Sequence, residues 1–540
     1  MAAPVDSRPD RGASREPARA ILLLVCLSLL LNLMRLGASP LWDQDETKYA
    51  QVAREVLWTG DWMTLHWNGS PWFVHPPLYF WLVAATGWLF GLGEFTARVW
   101  SALFGTGSVV LTYFLGRAWF SHRAGLLAGL VLCTTLQWFA QARLAVFDTV
   151  LVFWMLASVV GFWAGLQGSR AGYLAAFACA GLGTLTKGPV AALVPGLVAL
   201  AYLAWRRELG RLREVPWLWG LALYAALGLS WYAVGYLRHG SPFLASVLGY
   251  YTVHRFVGVV ENQSGPWWYY VPVLLLGGVP WNAFWPLAAV WLVRRAQPAF
   301  PLVWCGFVFA FFTAAQTKLP NYVLGFYPMA AVATGALLDS HLDRPHALRW
   351  GFWGAAALWL VFCGAVAAYG LLWYPQQTRE LLGPLVVALG VFGVGVGGGA
   401  WWAFRGNARA ALGALCAGTV ALFAVLVAWV SPQLDRYRPL REVGAAAASW
   451  ARPGDVRVGY RVPNGVVFYS GLTWRAYLDV EPVRQELCRA GPARALVVAP
   501  TSERAALSSL GFALRLLQEV GGYAVWEKPR GWRVSCPASR

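Results

Sequence analysis

Charged side chains are scarce in this chain of 540 residues: Asp, Glu, Lys and Arg together make up 13% of it, against about 25% in soluble globular proteins. Hydrophobic residues make up 58% of the sequence. With so little polar surface available, a soluble globular protein of this length is excluded. The composition indicates a polytopic membrane protein.

Acidic residues are the scarcer of the two signs, with 25 Asp and Glu against 43 Lys and Arg and a formal net charge of +18. Such a charge can indicate nucleic-acid binding, but here the basic residues are spread over short loops between apolar runs. The bias of Lys and Arg toward the cytoplasmic loops of membrane proteins explains this distribution better. We therefore expect no nucleic-acid partner.

Cysteine is sparse as well, and none of the eight cysteines forms a CxxC pair of the metal-binding type. Six of them lie in apolar runs and are expected to be inert core residues. Cys488 and Cys536 lie in the polar C-terminal part. If that part is exported, the two cysteines either form a disulfide or do not, and the sequence leaves both alternatives open. We predict no residue as a metal ligand.

The apolar runs predict about thirteen transmembrane helices, at about 20 residues per crossing. Residues 1–17 are predicted to be a cytoplasmic tail, because arginines precede the first run and no convincing small-residue cleavage site follows it. Residues 77–92 are short, aromatic and bounded by two prolines, so we predict a helix at the membrane interface there. The predicted spans are near residues 18–37, 96–116, 124–142, 148–166, 171–186, 189–205, 216–236, 268–292, 298–316, 320–340, 350–373, 381–404 and 409–430.

This threading places the arginine-rich loops in the cytoplasm and the other polar segments on the outer face. The first outer loop is predicted at residues 38–95, within a transmembrane catalytic domain of residues 18–430. If residues 77–92 crossed the membrane, the arginine clusters would face outward. The predicted cytoplasmic arginines are Arg117, Arg123, Arg170, Arg206, Arg207, Arg211, Arg213, Arg294, Arg295, Arg344, Arg349, Arg405 and Arg409.

Residues 431–540 have a different composition, in which short β-type runs alternate with helical stretches. The β-type runs are residues 456–460, 465–469, 495–498 and 523–526, and the helical stretches are residues 441–450 and 483–489. We predict a small extracytoplasmic α/β domain. A glycine-rich patch at residues 395–399 is expected to serve close helix packing.

Acidic residues stand at the outer ends of two predicted spans. Asp45, with Asp43 and Glu46 beside it, follows the first span, and Asp148 begins another span five residues after Arg143. An acid held at the edge of a helix bundle can take a proton from an incoming hydroxyl group. The alternatives are that the first three acids only solvate the loop and favour the following helix start, and that Asp148 is an N-cap paired with Arg143.

Basic residues occur on the same predicted face. Lys187 and Lys318 each stand in a turn before a proline at the end of a span, and Arg255 and His75 lie in outer segments. A single lysine at a membrane rim normally only extends its ammonium group to water. A set of several cations opposite acidic residues is, however, suited to a phosphate group.

An ordered series of motifs resembles the GT-C superfamily of polyprenyl-phosphate-sugar glycosyltransferases. The resemblance is to its bacterial lipid A aminoarabinose transferases and to the dolichyl-phosphate-mannose protein mannosyltransferases. The motifs are Asp45-Glu-Thr-Lys-Tyr-Ala50, Gly60-Asp-Trp62, Phe73-Val-His-Pro-Pro-Leu-Tyr79, Glu94-Phe-Thr-Ala-Arg98, Arg143-Leu-Ala-Val-Phe-Asp148, Leu185-Thr-Lys-Gly-Pro189, Gly265-Pro-Trp-Trp-Tyr-Tyr270 and Thr317-Lys-Leu-Pro-Asn-Tyr322.

The resemblance implies Asp45 and Asp148 as catalytic acids and His75, Lys187 and Lys318 as the phosphate-binding region. The wider substrate-binding set that we predict adds Asp43, Glu46, Tyr49, Arg143, Arg255 and Tyr322. Many members have Glu-Lys-Pro where this chain has Val74-His75-Pro76. That change removes a potential metal ligand and makes the cation at the second position dependent on pH.

The implied reaction is transfer of a sugar, with inversion, from undecaprenyl phosphate to a hydroxyl group of a glycolipid such as lipid A, at the outer face of the bacterial cytoplasmic membrane. The partners are therefore the lipid-linked sugar, the acceptor and the bilayer. No cofactor is required, although a divalent cation is compatible with the chemistry. Two alternatives are a protein O-mannosyltransferase and a transporter for lipid-linked substrates, which would carry charges in the middle of its spans.

Overall fold

Helices formed by the apolar runs make up most of the residues that this computed structural model describes, namely 15–294, 299–373 and 379–531. Most of the predicted N-terminal tail lies outside them. The described chain divides into two units. One holds the chain up to Met34 together with Val74–Tyr79 and Val99–Val430, and the other holds Arg35–Phe73, Phe80–Arg98 and the chain from Ser431 onward.

Every predicted span coincides with a helix or with consecutive helices. Within the described ranges, eight of them are long and apolar enough to cross a membrane, which confirms a multi-pass membrane protein. They are Glu16–Leu33, Glu94–Trp119, Asp148–Leu166, Trp217–His239, Pro320–His341, Arg349–Trp373, Leu382–Phe404 and Ala408–Tyr437.

The other five predicted spans are shorter, bent or charged at their ends. Tyr270–Gly277 and Trp281–Arg294 form one apolar segment bent by 109°, so the span predicted near residues 268–292 is broken by a sharp bend. The remaining helices are His122–Cys133 with Leu136–Gln141, Arg170–Lys187, Val190–Trp205 and Phe300–Ala314.

Several spans of the first unit consist of consecutive helical segments, and other short segments connect the spans. Three of them are π-helical, and two of these interrupt the segment between residues 217 and 257. The segments are Leu209–Glu214, Trp217–Tyr224, Ala225–Leu229 (π), Ser230–His239, Ser241–Leu244, Ala245–His254 (π), Arg255–Val257, Trp281–Phe284, Trp285–Arg294, Pro320–Gly325, Phe326–His341, Ala408–Val425 and Leu426–Val430 (π).

Small residues let helices of the first unit approach closely. A Cβ atom on Gly395 would collide with the backbone of Gly418 on the neighbouring helix, so the expectation that the glycine-rich patch serves helix packing is confirmed. At one end of the bundle, Asp343 accepts hydrogen bonds from Arg123 (2.6 Å) and from Arg409 (2.7 Å). These contacts join the starts of two helices to the segment after a third helix, and the threading places all three on one side.

The second unit contains most of the predicted first outer loop and the C-terminal part. Its early portion has the helix Asp45–Thr59 and a hairpin of β1 (His66–Trp67) and β2 (Ser70–Pro71). The apolar helix Leu78–Phe90 coincides with the predicted interfacial helix, and Trp88 and Phe90 at its end are more than 70% exposed. Large exposed aromatic side chains are typical of a segment that contacts lipid.

The C-terminal part contains a five-stranded sheet of order β4-β3-β5-β7-β6. Its strands are β3 (Val456–Tyr460), β4 (Arg475–Tyr477), β5 (Ala495–Pro500), β6 (Arg515–Val520) and β7 (Tyr523–Lys528). β3 pairs in parallel with β4 and β5, whereas β7 is antiparallel to β5 and β6. Leu440–Trp450 and Asn464–Ser470 contribute to one buried cluster of the sheet, and Val480–Arg489 and Arg504–Ser508 contribute to the other. The remaining helices of this part are Ser431–Leu434, Asp435–Tyr437 and Thr501–Glu503.

Alternation along β5 explains the two cores of this sheet. Val497 belongs to one buried cluster and Leu496 and Val498 to the other, because successive strand residues point to opposite faces. The predicted α/β composition is therefore confirmed. Cys488 is disulfide-bonded, and Cys536 lies outside the described residues.

One predicted β-type run, residues 465–469, is wrong, because the chain forms the helix Asn464–Ser470 there. A short apolar run does not distinguish a buried strand from a buried helix by periodicity. Here Pro463 precedes the helix, and Gly471 ends it in the left-handed conformation at φ 65°. The two strands β4 and β6 were not predicted.

Candidate functional site

A cavity of about 380 Å³ lies within the first unit and is lined by residues from several helix ends. Its polar members include His75, Asp148, Lys187, Arg255 and Tyr322, all of which the sequence analysis predicted as site residues. The rest of the lining is mostly apolar: Leu151, Val152, Met155, Leu193, Val247, Val253, Phe256, Val257, Val308, Phe311, Phe312 and Ala315. The lining therefore combines a few charged groups with a wall suited to a hydrocarbon chain.

Asp148 and Lys187 form the central ion pair of the cavity, with Lys187 Nζ 2.5 Å from Asp148 Oδ1. Asn321 Nδ2 donates to the other carboxylate oxygen, Oδ2, at 2.8 Å. Asp148 is 3% exposed, so its charge is held in the interior by these two partners. The sequence-based alternative, a local ion pair with Arg143, is not the arrangement that forms.

Helix ends bring these groups together. Asp148 is the first residue of the helix Asp148–Leu166, and Lys187 is the last residue of the helix Arg170–Lys187. A carboxylate at a helix start and an ammonium at a helix end are both favoured by the helix dipole. Gly188 then reverses the chain at φ 110°, a conformation that side chains disfavour, and Pro189 follows.

Aromatic rings surround the Lys187 ammonium. Its Nζ lies 5.0 Å from the centre of the Phe147 ring and 5.3 Å from that of Tyr322. The imidazole of His75, which is 9% exposed, packs against the same Phe147 at 4.7 Å. The cation is thus oriented by ring faces as well as by Asp148.

Arg255 contributes a second permanent positive charge to the cavity lining. Its Nη2 donates to Gln263 at 2.7 Å and lies 3.4 Å from Glu261, whereas its buried Nε has no partner in the described structure. An arginine with one unsatisfied N–H in a cavity is suited to an anionic ligand.

Two predicted cations have structural partners and do not line the cavity. Arg143 donates to the carbonyl oxygens of Leu31, Asn32 and Met34, so it satisfies the end of the first helix. Lys318 is 6% exposed and donates to the carbonyl oxygens of Thr313 and Ala315 at 2.8 and 2.7 Å. Burial lowers the pKa of Lys318. Their predicted part in substrate binding finds no support in this arrangement.

The second unit holds the predicted acids of the first outer loop. Asp45 is exposed and begins the helix Asp45–Thr59, directly after Gln44 at φ 67°. Asp43 is half-buried and accepts a hydrogen bond from the backbone N–H of Gly465 at 2.9 Å. Tyr49 is buried and packs against Phe80 at 5.5 Å. Of the residues predicted in this loop, Asp45 is the acid that faces solvent.

Glu46, also predicted as substrate-binding, is buried in an ion pair with Arg98. Arg98 Nε and Nη2 each donate to one carboxylate oxygen at 2.8 Å, and Trp42 N donates to Oε2 at 2.7 Å. Arg98 also donates to the carbonyl oxygens of Leu36, Ser39 and Pro40. The pair therefore fixes the backbone that leads to Asp45, which is a structural use of Glu46.

Glu94, at the start of the Glu94-Phe-Thr-Ala-Arg98 motif, contacts residues of the C-terminal part of the same unit. Glu94 Oε1 accepts from Arg441 at 2.7 Å and from the hydroxyl of Tyr469 at 3.0 Å, and that hydroxyl accepts from Leu41 N at 2.7 Å. Sequence reasoning quoted this motif without assigning a role to its two charges. It also missed Asn321, because an amide next to a named tyrosine carries no charge signal.

Metal binding is not suggested by the residues that the structure describes: no three His, Cys, Asp or Glu side chains among them are grouped as a cation would require.

Two solved structures have a similar fold. ArnT from Cupriavidus metallidurans bound to undecaprenyl phosphate has a TM-score of 0.83 at 23% identity, covering 94% of this chain and 98% of that one. The Archaeoglobus fulgidus oligosaccharyltransferase has a TM-score of 0.51 at 14% identity, covering 90% of this chain and 70% of that one. This chain therefore has the same overall fold as these two proteins.

Sequence comparisons identify the family. Residues 18–242 match the dolichyl-phosphate-mannose-protein mannosyltransferase family. An undecaprenyl phosphate-α-4-amino-4-deoxy-L-arabinose arabinosyl transferase of Pseudomonas fluorescens is 33% identical over 67% of this chain, which spans only 62% of that relative. Its counterpart in Aeromonas salmonicida is 30% identical over 77% of this chain and 78% of its own length. The chain belongs to this arabinosyl transferase family.

Proposed function

We propose that the protein transfers a sugar from an undecaprenyl phosphate carrier to a hydroxyl group of a glycolipid such as lipid A. The observation that carries the proposal is the cavity in which Lys187 and Arg255 meet an apolar lining. A polyprenyl phosphate has a small anionic head and a long hydrocarbon chain, and the cavity offers both environments. The names of the relatives make 4-amino-4-deoxy-L-arabinose the sugar to test first.

In the proposed reaction, the acceptor hydroxyl oxygen attacks the anomeric carbon, and the bond from that carbon to the phosphate oxygen breaks. The electron pair of that bond goes to the phosphate, which leaves as undecaprenyl phosphate with one more negative charge. Lys187 and Arg255 stabilise this charge. Asp45 takes the proton of the hydroxyl group, and Asp148 holds Lys187 in position.

We propose further that the transfer needs no divalent cation, because the basic side chains of Lys187 and Arg255 already line the cavity. Activity that survives exhaustive chelation would support this, and activity restored only by an added cation would contradict it. We also propose that the site lies at the outer face of the cytoplasmic membrane. To test that orientation, a single cysteine is introduced at exposed Asp45 or at exposed Arg207. Its reaction with an impermeant thiol reagent is then measured in whole cells.

The transfer test uses the purified protein in liposomes with synthetic undecaprenyl phosphate-aminoarabinose and lipid A. Formation of aminoarabinosyl lipid A is the expected product, and mass spectrometry identifies it. Parallel reactions with the mannose-loaded carrier and with a serine- and threonine-rich peptide test the second candidate, a protein O-mannosyltransferase, which the family match over residues 18–242 favours. Mannosyl peptide as the product would replace the first proposal by the second.

A further inference from the structure

Tyr232 ends in a buried hydroxyl group for which the described structure offers no hydrogen-bond partner. The residue is 6% exposed and lines the same cavity as Lys187 and Arg255. A hydroxyl group buried without a partner is costly, so its persistence in a cavity indicates that a ligand or a water molecule satisfies it. Nothing in the sequence singled this tyrosine out, since it lies in an aromatic-rich helix.

The hydroxyl group of Tyr232 lies beside the turn that carries Lys187. A Cβ atom placed on Gly188, the residue after Lys187, would be 3.6 Å from the tyrosine oxygen. Tyr232 comes shortly after the π-helical segment Ala225–Leu229, and such wide turns redirect the side chains that follow. The Tyr232 hydroxyl group therefore lies next to the backbone of the turn that Lys187 and Gly188 form.

Two buried side-chain atoms of the described cavity lining have no hydrogen-bond partner. Among the described lining residues, the buried side-chain atoms without partners are Tyr232 Oη and Arg255 Nε, and both can donate. The buried carboxylate in the cavity, Asp148, already accepts from Lys187 and Asn321. A group that accepts hydrogen bonds can satisfy either atom, and an ionised phosphate diester has acceptors only.

We propose that the Tyr232 hydroxyl donates a hydrogen bond to the phosphate of the undecaprenyl carrier. This inference rests on the proposed function and adds a binding residue to it. The bond would strengthen as the bond between the sugar and the phosphate breaks, because the departing phosphate gains a negative charge. No proton leaves the tyrosine in this step.

Tyr232→Phe tests the inference, because it removes the oxygen and keeps the ring. Binding is measured with undecaprenyl phosphate alone, added to the purified full-length protein in nanodiscs, so the result does not depend on sugar or acceptor. We expect the Kd to rise about ten-fold, as for loss of one hydrogen bond to a charged group. Without lipid, the midpoint of thermal unfolding should not fall, because the hydroxyl group has no protein partner to lose.

Tyr173→Phe is the matched control. The hydroxyl group of Tyr173 is also buried and without a partner in the described structure, but it lies outside the cavity lining. We expect this variant to bind undecaprenyl phosphate as the wild type does. A ten-fold loss in both variants would mean that the effect is not local to the cavity and would overturn the inference.

The remaining outcomes separate the two proposals. If the wild type binds undecaprenyl phosphate and Tyr232→Phe binds it equally well, the inference is wrong and the proposed function stands. If Tyr232→Phe binds the bare carrier normally but has a raised KM for the sugar-loaded carrier, the hydroxyl contacts the sugar, and the phosphate assignment is wrong. A wild type that does not bind undecaprenyl phosphate overturns both proposals.

Discussion

Lys187 and Asp148 are 39 residues apart in the sequence, and their charged groups are 2.5 Å apart in the structure. The carboxylate is almost fully buried, whereas 16% of the lysine side chain is exposed. Asn321 is the only other side chain shown to donate to this carboxylate among the described residues. Loss of the lysine would therefore leave a buried negative charge with one neutral donor.

The first prediction concerns this pair. Lys187→Met should lower the free energy of unfolding by about 3 kcal/mol, the cost of leaving a buried charge unpaired. Asp148→Asn combined with Lys187→Met should regain most of that loss, because neither charge remains. Both variants should lose transfer activity, since the cation near the phosphate is gone. Thermal unfolding in detergent and the transfer assay measure the two effects. Equal stability of the single and double variants would show that the ion pair does not hold the charge as described.

The second prediction concerns Asp45, the exposed acid at the start of its helix. Asp45→Asn should lower kcat by about a thousand-fold, within the range for loss of a general base. Binding of undecaprenyl phosphate should be unchanged. The control is Asp61→Asn in the same loop, because Asp61 accepts from the backbone N–H groups of Met63 and Thr64 with an oxygen that asparagine retains. Full activity of Asp45→Asn would remove the base role.

The sequence predicted the long apolar helices well because they depend on local composition. Apolar length and the position of arginines are local properties, and the ion pairs of Asp343 join segments that were placed on one side. The bent segment was missed because a sharp turn inside an apolar run leaves the hydropathy unchanged. The helix Asn464–Ser470 was missed because its buried residues are consecutive in the sequence.

The site was predicted as residue types and not as an arrangement. Asp148, Lys187, Arg255 and His75 were all named, and all line the cavity. Which cation pairs with which acid depends on helix packing, so the sequence could not distinguish Lys187 from Arg143 as the partner of Asp148. Uncharged members such as Asn321 and Tyr232 give no signal in a single sequence.

The third prediction compares two arginines. Arg98 forms an ion pair with Glu46, and Arg441 forms one with Glu94. Arg98→Lys should lower the free energy of unfolding by about 2 kcal/mol, because lysine cannot reproduce five hydrogen bonds directed at Glu46 and three carbonyl groups. Arg441→Lys should cost far less, since Arg441 is 41% exposed where it pairs with Glu94. Chemical denaturation of the two variants in detergent measures this difference. Equal losses would mean that burial of the Arg98 guanidinium does not matter.

The fourth prediction concerns pH and the carboxylate of Asp343. Hydrogen bonds from Arg123, and then from Arg409, hold the pKa of Asp343 well below its ordinary value of 3.8. Because the pKa of Asp343 is lower in the folded state, its ion pairs with Arg123 and Arg409 stabilise the protein above about pH 4. This contribution is lost as the pH falls further.

The difference in thermal midpoint between the wild type and Asp343→Asn should therefore be constant from about pH 5 to about pH 8 and should shrink below about pH 4. It should also shrink in high salt, because the three side chains are exposed to solvent. Asp435→Asn serves as the matched acid-to-amide control. A difference that grows as the pH falls would contradict the assigned sign, because it would require the folded state to bind the proton more tightly than the unfolded chain.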